Sequence, residues 1–535
     1  MAKKMLFVGL VLMLVITGGL VACTKEAPTT PAPTTQAPAP APTTPAPAPT
    51  TPSPQYGGTL KIATMSDAQE LGNTGSFNAL TIFMQKPAIE TLGRMDAAAN
   101  IEPWLAESWQ IDMAAKTFTV KLKKGIKFHD GTDFNAAAVK WNWERMQAAR
   151  SPFTMRIASI DMVDDYTVRA NLNAPDNSIV IQLCFDGGSM ASPTAWQKNG
   201  AEWGQKNPVG TGPFQFVSWE REKGVTYKKW AGYWQQGKPY LDGIEFVIIA
   251  DPVTAAMAFK NGEVDILWDT QPTEASDLKK TGKYNVVNLT TGIQTTEFVL
   301  IPGSAKTESP LANATVRQAI DYAINKQTIV DNLLSGYGTV ATQWGLPTNW
   351  NYNPDYKGHP YNPAKAKELL AEAGYPNGFS TTIITDPPKV QIMETIQPML
   401  DEVGIKVKVQ TETVLGILSY IQKGWDGMLG IQLAPDGDVA YRTGFYFAST
   451  SPLMGGIAHP VEIDNAVNAA LGANDFKTKQ QLTWKLQELL FGKLTHFIPI
   501  AVQDLVAPKW LKVHDDGIAL TAAYQWTPEN AWIAK

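Results

Sequence analysis

The chain contains few cysteines and histidines, and both shortages limit its chemistry. Its 535 residues include two cysteines, Cys23 and Cys184, so at most one intrachain disulfide could form. The five histidines have no close metal-binding spacing such as His-x-x-x-His. Neither a Gly-x-Ser-x-Gly elbow nor a Gly-x-x-x-x-Gly-Lys-[Ser/Thr] loop is present. The sequence therefore gives no motif for a serine hydrolase or for direct nucleotide binding.

An excess of positive charge is also missing. The chain has 45 Lys and Arg against 50 Asp and Glu, for a net charge of -5. Nucleic-acid-binding domains usually carry a basic surface, so we expect no nucleic-acid partner. Aromatic residues, in contrast, are abundant, with 17 tryptophans. Many should be core residues, but so large a number suggests that some line a ligand surface.

The first 22 residues have the pattern of a secretory signal peptide. Two lysines precede an apolar run from Met5 to Ile16, which is shorter than the roughly 20 residues that a membrane span needs. The tetrad Leu20-Val21-Ala22-Cys23 resembles the bacterial lipobox, whose cysteine becomes the new N-terminus and carries lipid. We therefore expect residues 1–22 to be a lipoprotein signal and Cys23 to be lipidated. Cys184 would then be a small buried hydrophobe.

The composition of the next segment predicts a tether. Residues 27–54 consist only of Pro, Ala, Thr, one Gln and one Ser. Such a tract cannot build a core, and frequent Pro favours an extended chain of about 3.1 Å per residue. We expect residues 23–55 to hold a folded body away from a membrane. The sequence leaves open whether the threonines are glycosylated.

Periodicity in the remaining residues predicts mixed α/β structure. The predicted strands are 117–123, 244–249 and 405–410, and the predicted helices are 135–149, 313–334 and 362–374. The last helix has the clearest boundaries, with Asn362 as N-cap, Pro363 at the first position and Gly374 after the end. The body exceeds the usual size of one compact core, so two or three lobes are expected.

A series of short motifs carries a family resemblance. They are Gly57–Leu60, Pro103–Trp109, Gly125–Phe134, Pro208–Phe214, Tyr233-Trp234, Asn261–Ile266, Val316–Lys326 and Ala366–Tyr375. In this order they resemble the extracellular solute-binding proteins of family 5, which are the peptide-, oligopeptide- and nickel-binding components of ABC importers. The resemblance runs from about Tyr56 to the C-terminus. Most of these residues also have a structural explanation in turns and packing, so they indicate the family without locating a pocket.

The resemblance implies an α/β, two-lobed periplasmic-binding-protein fold with mixed sheets and a ligand cleft between the lobes. Lobe I would comprise residues 56–92, 209–295 and 506–535, and residues 93–208 would form a subdomain inserted in it. Lobe II would comprise residues 296–505. Crossing strands near Thr295 and Asp504 would act as hinges for lobe closure.

The resemblance also implies an acid in lobe II that meets the ligand's amino group, in the segment Ala434–Val439. Here Ile431-Gln432 stands where the family often has Trp, and a glycine separates Asp436 from Asp438. A cation contact and a plain Asp-Gly turn both remain open. The other ligand contacts expected from position in the family pattern are Met65, Asp67, Thr296, Phe298, Trp344 and Gln432. Trp344 has the alternative of packing in the core.

The expected function is capture without catalysis. The protein would be a monomer outside the cytoplasm, at the cell surface or in the periplasm, anchored through Cys23. It would bind di- or oligopeptides by lobe closure and deliver them to the transmembrane subunits of the permease, without a cofactor or metal. Oligosaccharides and nickel chelates are the alternative ligands, and a surface sensor or a hydrolase are the alternative functions.

Overall fold

The computed structural model describes residues 53–72, 75, 79–96, 100–268, 270–289, 296–347, 349–433, 437–518 and 526–535. The predicted signal peptide, Cys23 and nearly all of the predicted tether lie outside these residues. The chain divides into two compact units, residues 1–53 and residues 54–535, and the second unit is described below. Within the described ranges, no helix combines the length and apolar character needed to cross a membrane.

The described residues form 21 strands. They are β1 Thr59–Thr64, β2 Gly93–Met95, β3 Ile101–Pro103, β4 Ala106–Asp112, β5 Thr117–Leu122, β6 Ile157–Asp164, β7 Thr167–Leu172, β8 Phe214–Glu220, β9 Gly224–Lys229, β10 Gly243–Ile248, β11 Ile266–Leu267, β12 Tyr284–Leu289, β13 Thr296–Pro302, β14 Gly338–Val340, β15 Phe379–Thr385, β16 Ile405–Thr411, β17 Met428–Leu433, β18 Ile498–Gln503, β19 Leu505–Trp510, β20 Val513–His514 and β21 Trp532–Ile533. The three predicted strands correspond to β5, β10 and β16.

Fourteen α-helices accompany these strands in the same ranges. They are α1 Ala79–Gln85, α2 Ala136–Ala148, α3 Pro193–Asn199, α4 Ala201–Lys206, α5 Pro252–Lys260, α6 Pro272–Lys280, α7 Ala314–Ala323, α8 Lys326–Leu333, α9 Pro363–Glu372, α10 Val390–Glu402, α11 Val414–Lys423, α12 Val439–Phe447, α13 Val461–Leu471 and α14 Phe476–Gln487. A 3₁₀ helix, Asn177–Cys184, lies between β7 and α3. Two predicted helices correspond to α2 and α9.

The third predicted helix, 313–334, is two helices in the structure. Ile324 has an extended ψ of 117°, which ends α7. The side chain of Asn325 then accepts a hydrogen bond from the backbone N–H of Thr328 at 3.1 Å and caps α8. Since Asn at an N-cap favours a new helix start, a local capping signal overrides the apolar periodicity that continues across it.

Three large sheets organise the body. The seven-stranded sheet has the order β12-β19-β11-β1-β10-β9-β8, and the six-stranded sheet has the order β14-β18-β13-β17-β15-β16. The four-stranded sheet, β4-β5-β7-β6, is antiparallel and comes from residues 106–172. The six-stranded sheet is built from residues 296–503 alone, whereas the seven-stranded sheet collects strands from both ends of the chain.

The central strand β13 is buried on both faces. Phe298 and Leu300 belong to a core that contains residues of α7, α8 and α10, while Val299 and Ile301 belong to a second core that contains residues of α12, α13 and α14. A strand covered by helices on both faces reads as a continuous apolar run rather than as an alternating pattern. This explains why periodicity alone did not single out β13.

A buried carboxylate joins three of the sequence motifs. One oxygen of Glu90 accepts hydrogen bonds from the Trp104 indole and the Tyr233 hydroxyl, each at 2.8 Å. The other oxygen accepts from the Thr211 hydroxyl at 2.8 Å and the Trp234 indole at 3.0 Å. Burial raises the pKa of Glu90, while Arg94 and the donors oppose that shift. These motif residues therefore hold parts of the body together.

A buried ion pair fixes the end of the chain to β2. Arg94 donates two hydrogen bonds to the carboxylate of Glu529, at 2.6 and 3.2 Å. The indole of Trp526 donates to the carbonyl of Phe83 at 3.1 Å. The seven- and four-stranded sheets form one half of the body, the seven-stranded half, and the six-stranded sheet forms the other. Because Glu529 is fully buried, residues 526–535 are an integral part of the seven-stranded half.

A partly buried histidine, His129, and a buried one, His496, predict a loss of stability in acid. Burial lowers the pKa of His129 to about 4 and that of His496 to about 3, whereas an unfolded histidine titrates near pH 6.5. Below about pH 6.5 the unfolded chain therefore binds protons that the folded chain does not, and the free energy of unfolding should fall as the pH falls. Each histidine should contribute about 1.4 kcal/mol per pH unit at most between its two pKa values.

Urea unfolding at pH 7, 6 and 5 measures this dependence. In His129→Asn and in His496→Asn, the number of protons that the unfolded chain binds in excess of the folded chain should drop by about one. The free energy of unfolding should therefore fall less steeply with decreasing pH, whatever the substitution does to stability at pH 7. An unchanged pH dependence in both variants would contradict the assignment of these histidines as neutral in the folded state.

Candidate functional site

The topology places the carboxyl ends of the parallel strands at facing edges of the two larger sheets. In the seven-stranded sheet, β1 runs parallel to β10 and β11, and β11 is antiparallel to β19. Their carboxyl ends thus lie at the edge where β12 ends and β19 begins. In the six-stranded sheet, β15 is parallel to β16 and β17, and β17 is antiparallel to β13. Their carboxyl ends lie where β13 begins and β18 ends.

The chain crosses between these two edges, once from β12 to β13 and once from β18 to β19. Ligands of open α/β sheets bind outside the carboxyl ends of the strands. The space between the two edges is therefore the candidate site. Of the predicted site residues, Met65 and Asp67 follow β1, Thr296 begins β13 and Asp438 follows β17.

A hydrogen bond links the two crossing segments. Asn288, near the end of β12, donates to the carboxylate of Asp504 at 3.0 Å. The backbone N–H of Asp504 donates to the carbonyl of Tyr337 at 3.1 Å. Burial raises the pKa of Asp504, and the bond from Asn288 opposes that shift. The predicted hinge residue Asp504 is thus held by both halves, whereas Thr295 lies outside the described residues.

Asp67 is engaged within the seven-stranded half. Its carboxylate accepts hydrogen bonds from the Trp219 indole and the Glu222 backbone N–H, each at 2.9 Å, and pairs with Arg221 at 3.2 Å. These contacts fasten the β8–β9 hairpin to the end of β1. Met65 is partly buried beside it. Contact of Met65 or Asp67 with a ligand stays a prediction.

The predicted aromatic residues of the other half lie in its cores. Trp344 is fully buried, with its ring centroid 4.9 Å from that of Phe497 and 5.8 Å from that of Phe447. Phe298 is 4% exposed and faces Gln432 across the β13–β17 register. Core packing, the alternative interpretation, accounts for the burial of Trp344, while Gln432 is only partly buried at the end of β17.

Asp438 has a structural role, and Asp436 lies outside the described residues. One oxygen of Asp438 accepts the backbone N–H of Tyr441 at 3.0 Å and caps α12. The other oxygen pairs with Lys479 of α14. Gly437 before it has a φ of +72°, a conformation that favours glycine. Asp438 is thus engaged in a helix cap and an ion pair, and a ligand contact by Asp436 or by Asp438 stays a prediction.

A cavity of about 270 Å³ lies beside this turn. One wall comes from the part of the chain that holds the four-stranded sheet, and includes Ile111, Met113 and Val180. The opposite wall includes Trp350, Phe476 and the Asp438–Lys479 pair. The cavity is thus mainly apolar, with the Asp438–Lys479 pair and Asp475 in its wall, a composition typical of small-molecule sites.

Charged residues from two distant segments meet near this cavity. Burial raises the pKa of Asp186 to about 6, and the positive charge of Arg442 opposes that shift. Burial also raises the pKa of Tyr441, and the neighbouring carboxylates of Asp186 and Asp176 raise it further. Sequence reasoning missed these residues because no local motif marks them.

Comparisons with known proteins decide the family. Residues 100–445 match the model described as bacterial extracellular solute-binding proteins, family 5 Middle. The chain belongs to this family. The glutathione-binding protein GsiB of Escherichia coli O1:K1 is 32% identical over 464 residues, which is 83% of this chain and 89% of that protein.

Solved structures agree with this family 5 assignment. DppA from Helicobacter pylori, in complex with the peptide STSA, is 26% identical with a TM-score of 0.77, covering 90% of this chain and 99% of DppA. NikA from Brucella suis, in complex with Fe(III)-EDTA, has a TM-score of 0.77 at 22% identity over 88% of this chain and 100% of NikA, and supports the fold alone. The predicted family and fold are confirmed. This family 5 protein is a substrate-binding component of an ABC importer that acts outside the cytoplasm.

Proposed function

We propose that this family 5 protein is a lipid-anchored receptor that captures short peptides and passes them to an ABC permease. The observation that carries the proposal is its 32% identity to a glutathione-binding protein, a binder of a tripeptide thiol. The similarity to DppA in complex with the peptide STSA supports the same ligand class. The relatives are binding proteins, so the ligand would leave chemically unchanged.

The mechanism follows from the two sheet edges at which the carboxyl ends of the parallel strands lie. A ligand that contacts the carboxyl ends of the strands of both sheets stabilises the arrangement in which the edges are close. It shifts an existing equilibrium between open and closed forms rather than driving a reaction. The Asn288–Asp504 link lies between the two halves, where a hinge motion would bend the chain. The closed form would then dock on the permease, whose cytoplasmic ATPase drives release.

Native mass spectrometry of the protein, purified without denaturation, tests the ligand class. We expect adducts whose masses match short peptides, and added glutathione or Ser-Thr-Ser-Ala should give one-to-one complexes. Adducts spaced by hexose units, or one metal-chelate mass, would replace the peptide assignment and leave the importer role intact. A protein that carries no adduct and binds neither probe would favour the sensor or hydrolase alternatives.

The anchor gives a separate prediction. Cys23→Ala should release the protein from the membrane fraction, because the lipid would have no attachment site. Its affinity for glutathione should stay within about twofold of the original, since Cys23 begins the tether and the cleft is built from residues after the tether. Cell fractionation and calorimetry measure the two effects. A variant that remains in the membrane fraction would contradict lipidation at Cys23, and lost affinity would contradict the separation of anchor and site.

A further inference from the structure

The C-terminal end of α13 is capped by a side chain from the opposite half of the molecule. The last carbonyl groups of a helix have no partner within the helix. Here the side-chain amide of Asn177 donates to the carbonyl of Ala470 at 3.1 Å and to that of Ala473 at 3.0 Å. Asn177 follows the four-stranded sheet in the chain, whereas α13 packs on the six-stranded sheet. These bonds therefore join the two sides of the cavity directly.

A cation strengthens the same junction. The guanidinium of Arg156 donates to the side chain of Asn468, in the last turn of α13, at 3.1 Å. A positive charge near a helix C-terminus is stabilised by the partial negative charge of the exposed carbonyls. The carboxylate of Asp176 lies 3.7 Å from Arg156 and fixes the guanidinium from the other side.

Asp176 also positions Asn177. It is nearly fully buried and caps the 3₁₀ helix Asn177–Cys184, accepting the backbone N–H of Ser178 at 2.9 Å and the hydroxyl of Ser178 at 2.5 Å. One acid therefore orients both groups that reach α13. The arrangement is preorganised on one half of the molecule and meets a helix end on the other half.

We propose that Asn177 and Arg156 form a clasp that holds the two halves closed and slows ligand release. The inference rests on the proposed function, in which closure retains the ligand. The clasp bonds form only when the two halves meet. When the halves separate, water takes the place of these hydrogen-bond partners. They act between the halves themselves, so the clasp also operates without a ligand. Asn177 and Arg156 are positioning residues in this role.

Three clasp hydrogen bonds of ordinary net strength should together change the ratio of closed to open forms by about tenfold or more. Asn177→Ala removes two of them and Arg156→Met removes the third together with its charge. Asn177 borders the cavity, whereas Arg156 is not among the residues that line it. An effect of Arg156→Met on closure therefore reports on the clasp and not on a lost contact between residue 156 and the ligand.

Paired spin labels on the full chain carrying Cys23→Ser measure the closed-to-open ratio. The labels are placed at Met162→Cys of β6 and Leu415→Cys of α11, whose side chains are 45% and 77% exposed, while the native Cys184 is buried. In ligand-free protein, we expect Asn177→Ala and Arg156→Met each to lower the ratio at least threefold. Asn171→Ala is the control, because the side chain of Asn171 donates to Ser159 and Asp161 of its own sheet.

Binding of glutathione and of Ser-Thr-Ser-Ala is the second readout. Both variants should raise Kd about three- to tenfold through faster release, with an association rate within about twofold of the original. The clasp would be overturned if the distance distribution were unchanged in both variants or if Asn171→Ala changed it equally. It would also be overturned if the ligand-free original protein showed no closed population. Failure of both probes to bind would contradict the proposed function, and the spin-label distances would still decide the clasp.

Discussion

Replacing Glu90 with alanine should lower the free energy of unfolding by about 3–5 kcal/mol. The substitution leaves four donors without their acceptor, of which the Thr211 and Tyr233 hydroxyls are buried and the two indoles are partly buried. A buried donor that loses its partner costs about 1–3 kcal/mol. Two of the donors are indole N–H groups, of Trp104 and Trp234, which have no other hydrogen atom to donate and no acceptor atom. The loss also removes one of the negative charges that, together with Glu529, stabilise the charged form of Arg94.

Urea unfolding of purified variants measures the effect. Glu107→Ala is the matched control, because Glu107 is in the same motif as Trp104 but is exposed. It should change stability by less than about 0.5 kcal/mol. If Glu90→Ala also stays within about 1 kcal/mol of the original protein, the four hydrogen bonds do not hold these segments together.

Replacing Asp438 with alanine should cost about 3–5 kcal/mol of stability. The variant leaves the ammonium of Lys479 buried without its partner, which is the expensive way to break a buried ion pair. It also removes the N-cap of α12, a loss usually worth about 0.5–2 kcal/mol. Because both groups are in the cavity wall, ligand affinity should fall together with stability.

Two companion variants separate these contributions. Asp475→Ala removes the cap of α14 at an exposed aspartate that has no buried ion pair, so it should show the capping cost alone. Adding Lys479→Met to Asp438→Ala should recover part of the lost stability, since no unpaired charge then remains. Equal unfolding midpoints for Asp438→Ala and Asp475→Ala would contradict a stabilising role of the ion pair.

Asp436→Ala, if it weakens glutathione binding without changing stability, would identify Asp436 as the ligand contact.

Local signals predicted much of the secondary structure. Asn362 accepts the backbone N–H of Lys365 at 3.0 Å as the N-cap of α9, and Gly374 has a φ of +92° just after that helix. Both features act within one turn of the chain, so the sequence alone contains them. The break between α7 and α8 was equally local, at Asn325, but the apolar spacing around it suggested one continuous helix.

The candidate site was harder to predict because it depends on contacts between distant segments. Asn177 donates to carbonyl groups 293 and 296 positions later in the chain. The sequence around Asn177 does not indicate these acceptors. Trp344 shows the opposite difficulty, since position in a family pattern suggested a ligand contact while its surroundings are aromatic core. Periodicity predicts which face of an element is buried, but it does not say what buries it.

The placement of β19 sets the order in which the two halves can be completed. This strand lies between β12 and β11 in the seven-stranded sheet, although it follows every strand of the six-stranded sheet in the chain. The six-stranded sheet spans residues 296–503, and its last strand, β18, directly precedes β19 in the chain. The half that begins at β1 must wait for residues 505–510, with long-range pairing that is intrinsically slow. The seven-stranded sheet therefore stays open between β11 and β12 until every strand of the six-stranded sheet has been made.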